Sequence, residues 1–156
     1  MTLNLPRFAA LLGLLAALSA PAIAHENGIE AGPNGGRVLK AVKPPLEFLV
    51  TKDRRVEITA LTSDHKPGQL TGQVISVTGG DRSKPTKLEF KEADGKLVSN
   101  NALPEGNNFP ISVGIKANAN SKAVYEKFNM NLDKCPDCEN PEYVCICAQL
   151  EAAKKK

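Results

Sequence analysis

Apolar and polar residues alternate at every second position through much of the middle of this chain. Ile111, Val113 and Ile115 fall on one face of such a pattern, and small or polar residues separate them. Because successive side chains of a strand point to opposite faces, this period of two predicts half-buried β-strands. The strands predicted in this way are Leu46–Val50, Val56–Ala60, 73–78, 87–91, Lys96–Ser99, 111–117 and 124–132.

Turn-forming residues separate these segments. Residues 52–54 and the pair Asp94-Gly95 are placed to close hairpins, since glycine accepts a positive φ at little cost. Pro44 and Pro45 lack the N–H group that a strand ladder needs, so they belong before a strand or on a sheet edge. About seven short strands with this punctuation predict an all-β fold: an antiparallel, immunoglobulin-like β-sandwich followed by a short cysteine-rich C-terminal tail.

The N-terminus carries a different pattern, an apolar run that follows a basic residue. Arg7 precedes the run at 8–18, and small residues at Ala22 and Ala24 suit signal peptidase. The run is shorter than the roughly 20 residues that a membrane-spanning helix needs. We therefore predict a cleaved signal peptide over 1–24, a mature chain that begins at His25, and a periplasmic or secreted location without a membrane span. The predicted domains are a β-sandwich over 25–132 and a tail over 133–156.

Charge and composition exclude some partners for the mature chain. Removing residues 1–24 leaves 132 residues with 19 basic and 17 acidic side chains, and the two signs are interspersed. The chain has no tryptophan, and its few aromatic residues do not alternate with basic clusters. These features predict no nucleic-acid partner. The three lysines at 154–156 are typical of a solvated end.

All four cysteines lie within thirteen residues near the C-terminus. Cys135, Cys138, Cys145 and Cys147 form the pattern C-x2-C-x6-C-x-C. A turn between thiols two residues apart can aim both sulfurs at one metal ion, as tetrahedral zinc requires. Copper(I) also binds soft thiolates and accepts fewer of them. Cys145 and Cys147 fit less simply, since residues separated by one point apart unless the backbone bends.

Two other states of these cysteines remain open. Exported chains meet an oxidising compartment, so two disulfides could instead close the tail of a structural or interaction domain. The Cys135–Cys138 spacing also matches disulfide oxidoreductases. That chemistry favours a helix N-terminus within a βαβ unit, which this chain does not offer.

Histidine is scarce, which limits catalytic chemistry. Once exposed by cleavage, His25 offers an imidazole and an α-amino group that together could chelate copper(II), with Glu26 as a further oxygen ligand. His65 lies among turn-forming residues and is expected in a turn. No hydrolase or zinc-protease motif occurs, so we predict a protein that is not an enzyme.

Glycine clusters in an opening segment over residues 32–37, before the first predicted strands. The spacing of these glycines does not match a phosphate-binding loop, and no helical pattern follows them. Residues 31–38, Ala-Gly-Pro-Asn-Gly-Gly-Arg-Val, together with Pro-Pro-Leu-Glu-Phe at 44–48, resemble segments of the periplasmic adaptor subunits of heavy-metal efflux systems. Asn34 stands where those adaptors often have histidine, and their long helical hairpin has no counterpart here.

The whole mature chain is similar to small exported bacterial proteins that combine this opening with a C-terminal Cys-Pro-x-Cys cluster. This resemblance implies metal handling outside the cytoplasm. Together with the cysteine pattern, it predicts a non-enzymatic binding protein for zinc or copper(I). The expected partners are the metal ion and another envelope protein.

Overall fold

The computed structural model describes residues 28–155. This part of the chain forms nine strands, one 3₁₀ turn and one short helix, joined by turns and loops. The strands are β1 (Arg37–Leu39), β2 (Leu46–Val50), β3 (Val56–Ala60), β4 (Val74–Gly79), β5 (Thr86–Leu88), β6 (Phe90–Ala93), β7 (Lys96–Ser99), β8 (Phe109–Lys116) and β9 (Val124–Met130). The 3₁₀ turn spans Glu142–Val144, and helix α1 spans Cys147–Lys154. The all-β class is confirmed.

Two antiparallel sheets form a sandwich. One sheet has the order β1-β2-β3-β7-β6, and the other has the order β5-β4-β8-β9. If β2 is taken as the first strand of an immunoglobulin domain, β2-β3-β7-β6 has the order of its first sheet. The strands β4-β8-β9 then have the order of its second sheet, with β5 added beside β4. The predicted immunoglobulin-like arrangement therefore agrees with the observed strand order, and β1 is an additional edge strand.

The core lies between the two inward faces, where the predicted alternation places it. Phe48 and Ile58 of the first sheet and Val113 and Met130 of the second are completely buried. The rings of Phe48 and Phe128 meet edge to face across the sandwich, with their centroids 5.4 Å apart. Each fully buried large apolar side chain contributes about 1.5–3 kcal/mol relative to an exposed one. The packing of the two faces is thus the main source of stability.

The predicted strand over 87–91 is divided in two. β5 pairs with β4 in one sheet and β6 pairs with β7 in the other, so the chain changes sheets at Glu89. The side chain of Asn101 holds this crossing, because its oxygen accepts the N–H of Glu89 and its amide donates to the carbonyl of Lys87. Alternation alone continues unbroken through this bend, which is why the sequence indicates one strand.

The predicted turns lie where expected. The hairpin between β2 and β3 turns at Arg54, which has φ of 62°, and Asp94 and Gly95 close the β6–β7 hairpin with φ of 52° and 74°. Pro44 and Pro45 precede β2, and the Lys43–Pro44 peptide bond is cis. These turns set the register that aligns the apolar faces.

The predicted signal peptide over 1–24 and the mature N-terminal residue His25 lie outside the described residues. Within residues 28–155, no helix has both the length and the apolar character to cross a membrane. The predicted cleavage and location therefore stay predictions.

Candidate metal centre

The first cysteine pair lies on a tight turn that follows β9. The N–H of Cys135 donates to the carbonyl of Asn140 at 2.8 Å, and the N–H of Glu139 donates to the carbonyl of Cys135 at 2.9 Å. Glu139 has φ of 61°, which reverses the chain after Cys138. These bonds fold residues 135–140 back on themselves, so that both sulfurs of the C-x2-C pair point to one side.

The second pair is brought in by a change of backbone conformation. The 3₁₀ turn ends as the N–H of Cys145 donates to the carbonyl of Glu142 at 3.1 Å. Cys145 is extended, Ile146 bends the chain, and Cys147 begins helix α1. This bend removes the difficulty that spacing predicts for a C-x-C pair, because the two sulfurs no longer project in opposite directions.

All four sulfurs converge on one point. The Sγ atoms of Cys135 and Cys147 are 3.5 Å apart, those of Cys135 and Cys145 are 3.5 Å apart, and those of Cys138 and Cys145 are 3.9 Å apart. Every pair lies within 4.8 Å. A tetrahedron of sulfurs around zinc at about 2.3 Å has edges of about 3.8 Å. The four cysteines therefore have the spacing of a tetrathiolate site.

The cysteines are free thiols in this structure. A disulfide would require a sulfur–sulfur distance of about 2.05 Å. Within residues 28–155, these four side chains form the set of His, Cys, Asp or Glu residues whose ligand atoms converge in a way that could hold a metal ion.

Burial is uneven among the four thiols. Cys135, Cys145 and Cys147 are 1%, 3% and 7% exposed, whereas Cys138 is only partly buried. Three of the four thiols are therefore shielded from solvent, and the site is most accessible at Cys138. A closed set of four protein ligands is the arrangement of zinc sites that bind without an open catalytic position.

The pKa values of the thiols differ because their surroundings differ. Partial burial of Cys138 opposes ionisation, but backbone hydrogen bonds from Ile146 and Asn140 and contacts with neighbouring thiols lower its pKa to about 7. Burial raises the pKa of Cys145 and of Cys147. A cation placed among the sulfurs would favour the thiolate form of each.

The segment between the two cysteine pairs is anchored in the sandwich. Tyr143 and Val144 are buried and belong to the same core as the strands. The hydroxyl of Tyr143 accepts the N–H of Val50 at 3.1 Å, and burial raises the pKa of this phenol to about 12. The division at residue 132 between a domain and a tail stays a prediction, but the two parts share one core.

Arg37 links this segment to the start of the first sheet. Its guanidinium carbon lies 4.6 Å from the ring centroid of Phe128, and its Nη1 donates to the carbonyl of Tyr143 at 3.3 Å. Arg37 is only 8% exposed. Stacking on an aromatic face and donation to a carbonyl suit the flat, delocalised guanidinium. The pattern of residues around Arg37 does not indicate this contact, because its partners Phe128 and Tyr143 are distant in sequence.

Glu47 alternates with the apolar residues Leu46 and Phe48 along β2, a pattern that predicts a solvent-facing side chain, yet it is completely buried. Its Oε1 accepts the N–H groups of Asn34 and Gly36 at 2.9 and 2.8 Å, and its Oε2 accepts the side-chain amide of Asn34 at 2.8 Å. The glycine-rich opening does enclose an anion, but the anion is the protein's own carboxylate. The sequence features at this contact are a single acidic residue two positions after Pro45 and the glycine cluster within residues 32–36.

Among the described residues, His65 is not part of the group of side chains that converges with the cysteines. His65 has φ of 57° and donates its backbone N–H to Thr62, so it lies in a turn as predicted. Its Nδ1 is 2.8 Å from a carboxylate oxygen of Glu30. The candidate copper(II) site at His25 lies outside the described residues.

Comparison with protein families, curated proteins and solved structures finds no match to this chain.

Proposed function

We propose that this is an exported, non-enzymatic metal-binding protein that holds one zinc or copper(I) ion in the four-cysteine site and acts in metal handling. The observation that carries the proposal is the spacing of the four sulfurs, which agrees with the edges of a tetrahedral thiolate site. Four soft donors in a mostly buried cluster suit both candidate ions and exclude hard cations such as magnesium and calcium.

The number of sulfurs favours zinc over copper(I). Zinc takes four tetrahedral ligands, so the loss of any one cysteine should weaken its binding severely. Copper(I) accepts two or three sulfurs, so it should tolerate Cys145→Ser or Cys147→Ser better than loss of the Cys135–Cys138 pair. The pattern of affinities across these variants therefore identifies the metal.

The proposed location rests on the sequence of the N-terminus. A basic residue, an apolar run of suitable length and small residues at 22 and 24 support cleavage before His25. The resemblance to efflux adaptors and to small exported bacterial proteins supports the same compartment. Within it, a second envelope protein is the proposed exchange partner.

A disulfide-closed interaction domain is the second candidate. The 3.5 Å between Cys135 and Cys147 and the 3.9 Å between Cys138 and Cys145 would allow two bridges after small movements. An oxidising compartment favours this state. The third possibility, a thiol–disulfide oxidoreductase, has less support, since Cys135 and Cys138 lie on a turn in a β-sandwich.

Native mass spectrometry of the exported protein tests the proposal. A bound metal adds its own mass to the mature chain, whereas two disulfides remove four hydrogens. We expect one ion per chain, and fully reduced protein titrated without oxygen should bind zinc or copper(I) at one equivalent. A mass lower by four hydrogens, together with no binding after reduction beyond that of a scrambled tail peptide, would favour the interaction domain.

A further inference from the structure

We infer that Arg37 is a positioning residue for the four-cysteine site, and that the glycine-rich opening braced by Glu47 serves to hold Arg37 in place. This inference rests on the proposed metal site and adds a residue 98 positions away from its first ligand. The glycine-rich opening and the cysteine cluster would then both serve metal binding. The spacing and burial of the cysteines do not by themselves indicate this function for the opening.

Arg37 contacts the backbone close to one of the four cysteines. The carbonyl that it holds belongs to Tyr143, two residues before Cys145. Tyr143 also lies inside the 3₁₀ turn whose last hydrogen bond is donated by the N–H of Cys145. A shift of the Tyr143 carbonyl would therefore move Cys145, whose sulfur is within 3.5 Å of Cys135 and 3.9 Å of Cys138.

The opening is built to leave Arg37 little freedom. Glu47 binds the N–H of Gly36, the residue directly before Arg37, while Arg37 itself pairs with Phe48, the residue directly after Glu47. A methyl group at Gly36 would lie 2.6 Å from the carbonyl oxygen of Phe48, and one at Gly32 would lie 2.4 Å from the Glu47 carboxyl carbon. Only glycine allows this close approach.

A second tether holds the other end of the cysteine segment. Helix α1 begins at Cys147, and the side-chain amide of Gln149 in that helix donates to the carbonyl of Ile29. The N-terminal segment 29–37 therefore contacts the chain both before Cys145, through Arg37, and after Cys147. The two ligands that spacing alone places least well are bracketed by these contacts.

Such bracketing should raise metal affinity by pre-organisation. Ligands already held near the binding geometry lose less conformational freedom when the ion binds. By reciprocity, the bound ion should stabilise the contact between Arg37 and Tyr143 as much as that contact stabilises the bound ion. The stability of the opening should therefore depend on whether a metal ion is bound at the cysteines.

Cobalt(II) titration of the reduced, exported protein tests this inference, because thiolate-to-cobalt absorption reports both occupancy and geometry. We compare wild type with Arg37→Gln and with Arg37→Lys, which keeps the charge but not the flat stacking group. Arg82→Gln is the matched control, since it removes the same charge from an exposed arginine. Val77→Ala, at a fully buried position in the other sheet, controls for a general loss of stability.

We expect Arg37→Gln to weaken cobalt binding by about tenfold, the equivalent of one charge-assisted hydrogen bond, and to alter the absorption spectrum. Arg37→Lys should lie between Arg37→Gln and wild type, and both controls should stay within about twofold of wild type. Should Arg37→Gln fail to fold, Arg37→Lys decides by the same measurement.

Equal affinity in wild type and the Arg37 variants would overturn the inference while leaving the metal site intact. An equal loss in Val77→Ala would also overturn it, since the effect would then be one of stability alone. Absence of binding by wild type would instead refute the proposed function, and the inference with it.

Discussion

Replacing Glu47 should destabilise this protein far more than replacing an exposed glutamate, because its side chain is completely buried and hydrogen-bonded. Glu47→Ala removes a fully buried carboxylate that accepts three hydrogen bonds from the opening. Two of the donors are backbone N–H groups, and that of Gly36 is buried. In the alanine variant no side chain reaches these donors, and the buried N–H of Gly36 is left without a partner.

The magnitude follows from the individual contacts. A buried donor that loses its partner costs about 1–3 kcal/mol. The donors on Asn34 lie nearer to solvent and should cost less than that of Gly36, since water can replace the carboxylate there. We expect a total loss of about 3–4 kcal/mol, a large part of the roughly 5–15 kcal/mol that stabilises a typical domain. Glu47→Gln should cost about half as much, because its amide oxygen can still accept the two backbone donors.

Urea unfolding of the reduced protein, followed by circular dichroism, measures both losses. Glu57→Ala is the control, since Glu57 forms a partly exposed ion pair with Lys96 at 2.7 Å and should contribute less than about 1 kcal/mol. If Glu47→Ala cost no more than Glu57→Ala, the carboxylate would not be the brace of the opening, and our account of the glycine cluster would be wrong.

Four further predictions concern two glycines, one carboxylate and the N-terminus. Gly36→Ala should cost about 3 kcal/mol in unfolding experiments, because its methyl would lie 2.6 Å from a carbonyl oxygen of β2. Gly35→Ala, with nothing within 4 Å but a φ of 80°, should cost about 1 kcal/mol. Hydrogen bonding to Lys40 lowers the pKa of Glu30 in the folded protein. Ionised Glu30 therefore contributes to the free energy of unfolding above pH 4.5, and this contribution is lost as the pH falls through the folded pKa. Glu30→Gln should reduce the loss of stability on acidification when unfolding is measured as a function of pH. N-terminal sequencing of exported protein should read His25 first, and retention of residues 1–24 would contradict the predicted cleavage.

Strands and hairpins were predictable because each rests on local chemistry. Alternation at 111–117 fixes which side chains can share a face, and Asp94-Gly95 fixes where the chain reverses. The change of sheets at Glu89 was not predictable, because it depends on Asn101, twelve residues away, and leaves the alternation itself unbroken.

The cysteine site divides in the same way. The ligand types and the turn at Cys135–Cys138 follow from spacing, whereas the convergence of Cys145 and Cys147 depends on a bend at Ile146 that no residue type dictates. The buried position of Glu47 and the role of Arg37 were missed, because both depend on contacts between segments distant in sequence. Alternation predicts that a charged residue between apolar residues of a strand faces solvent, and the loop that covers Glu47 is not evident from the sequence of the strand.

The hydrogen bond between Gln149 and Ile29 also has a practical consequence for purification. It brings the N-terminal end of the described chain beside helix α1, which begins at a cysteine of the site. An oligohistidine tag placed directly before residue 28 or directly after helix α1 would therefore be tethered close to the thiols, at a high effective concentration. Imidazoles placed there compete for the same ions. Binding stoichiometries should thus be measured on tag-free protein, or with a tag that carries no metal ligands.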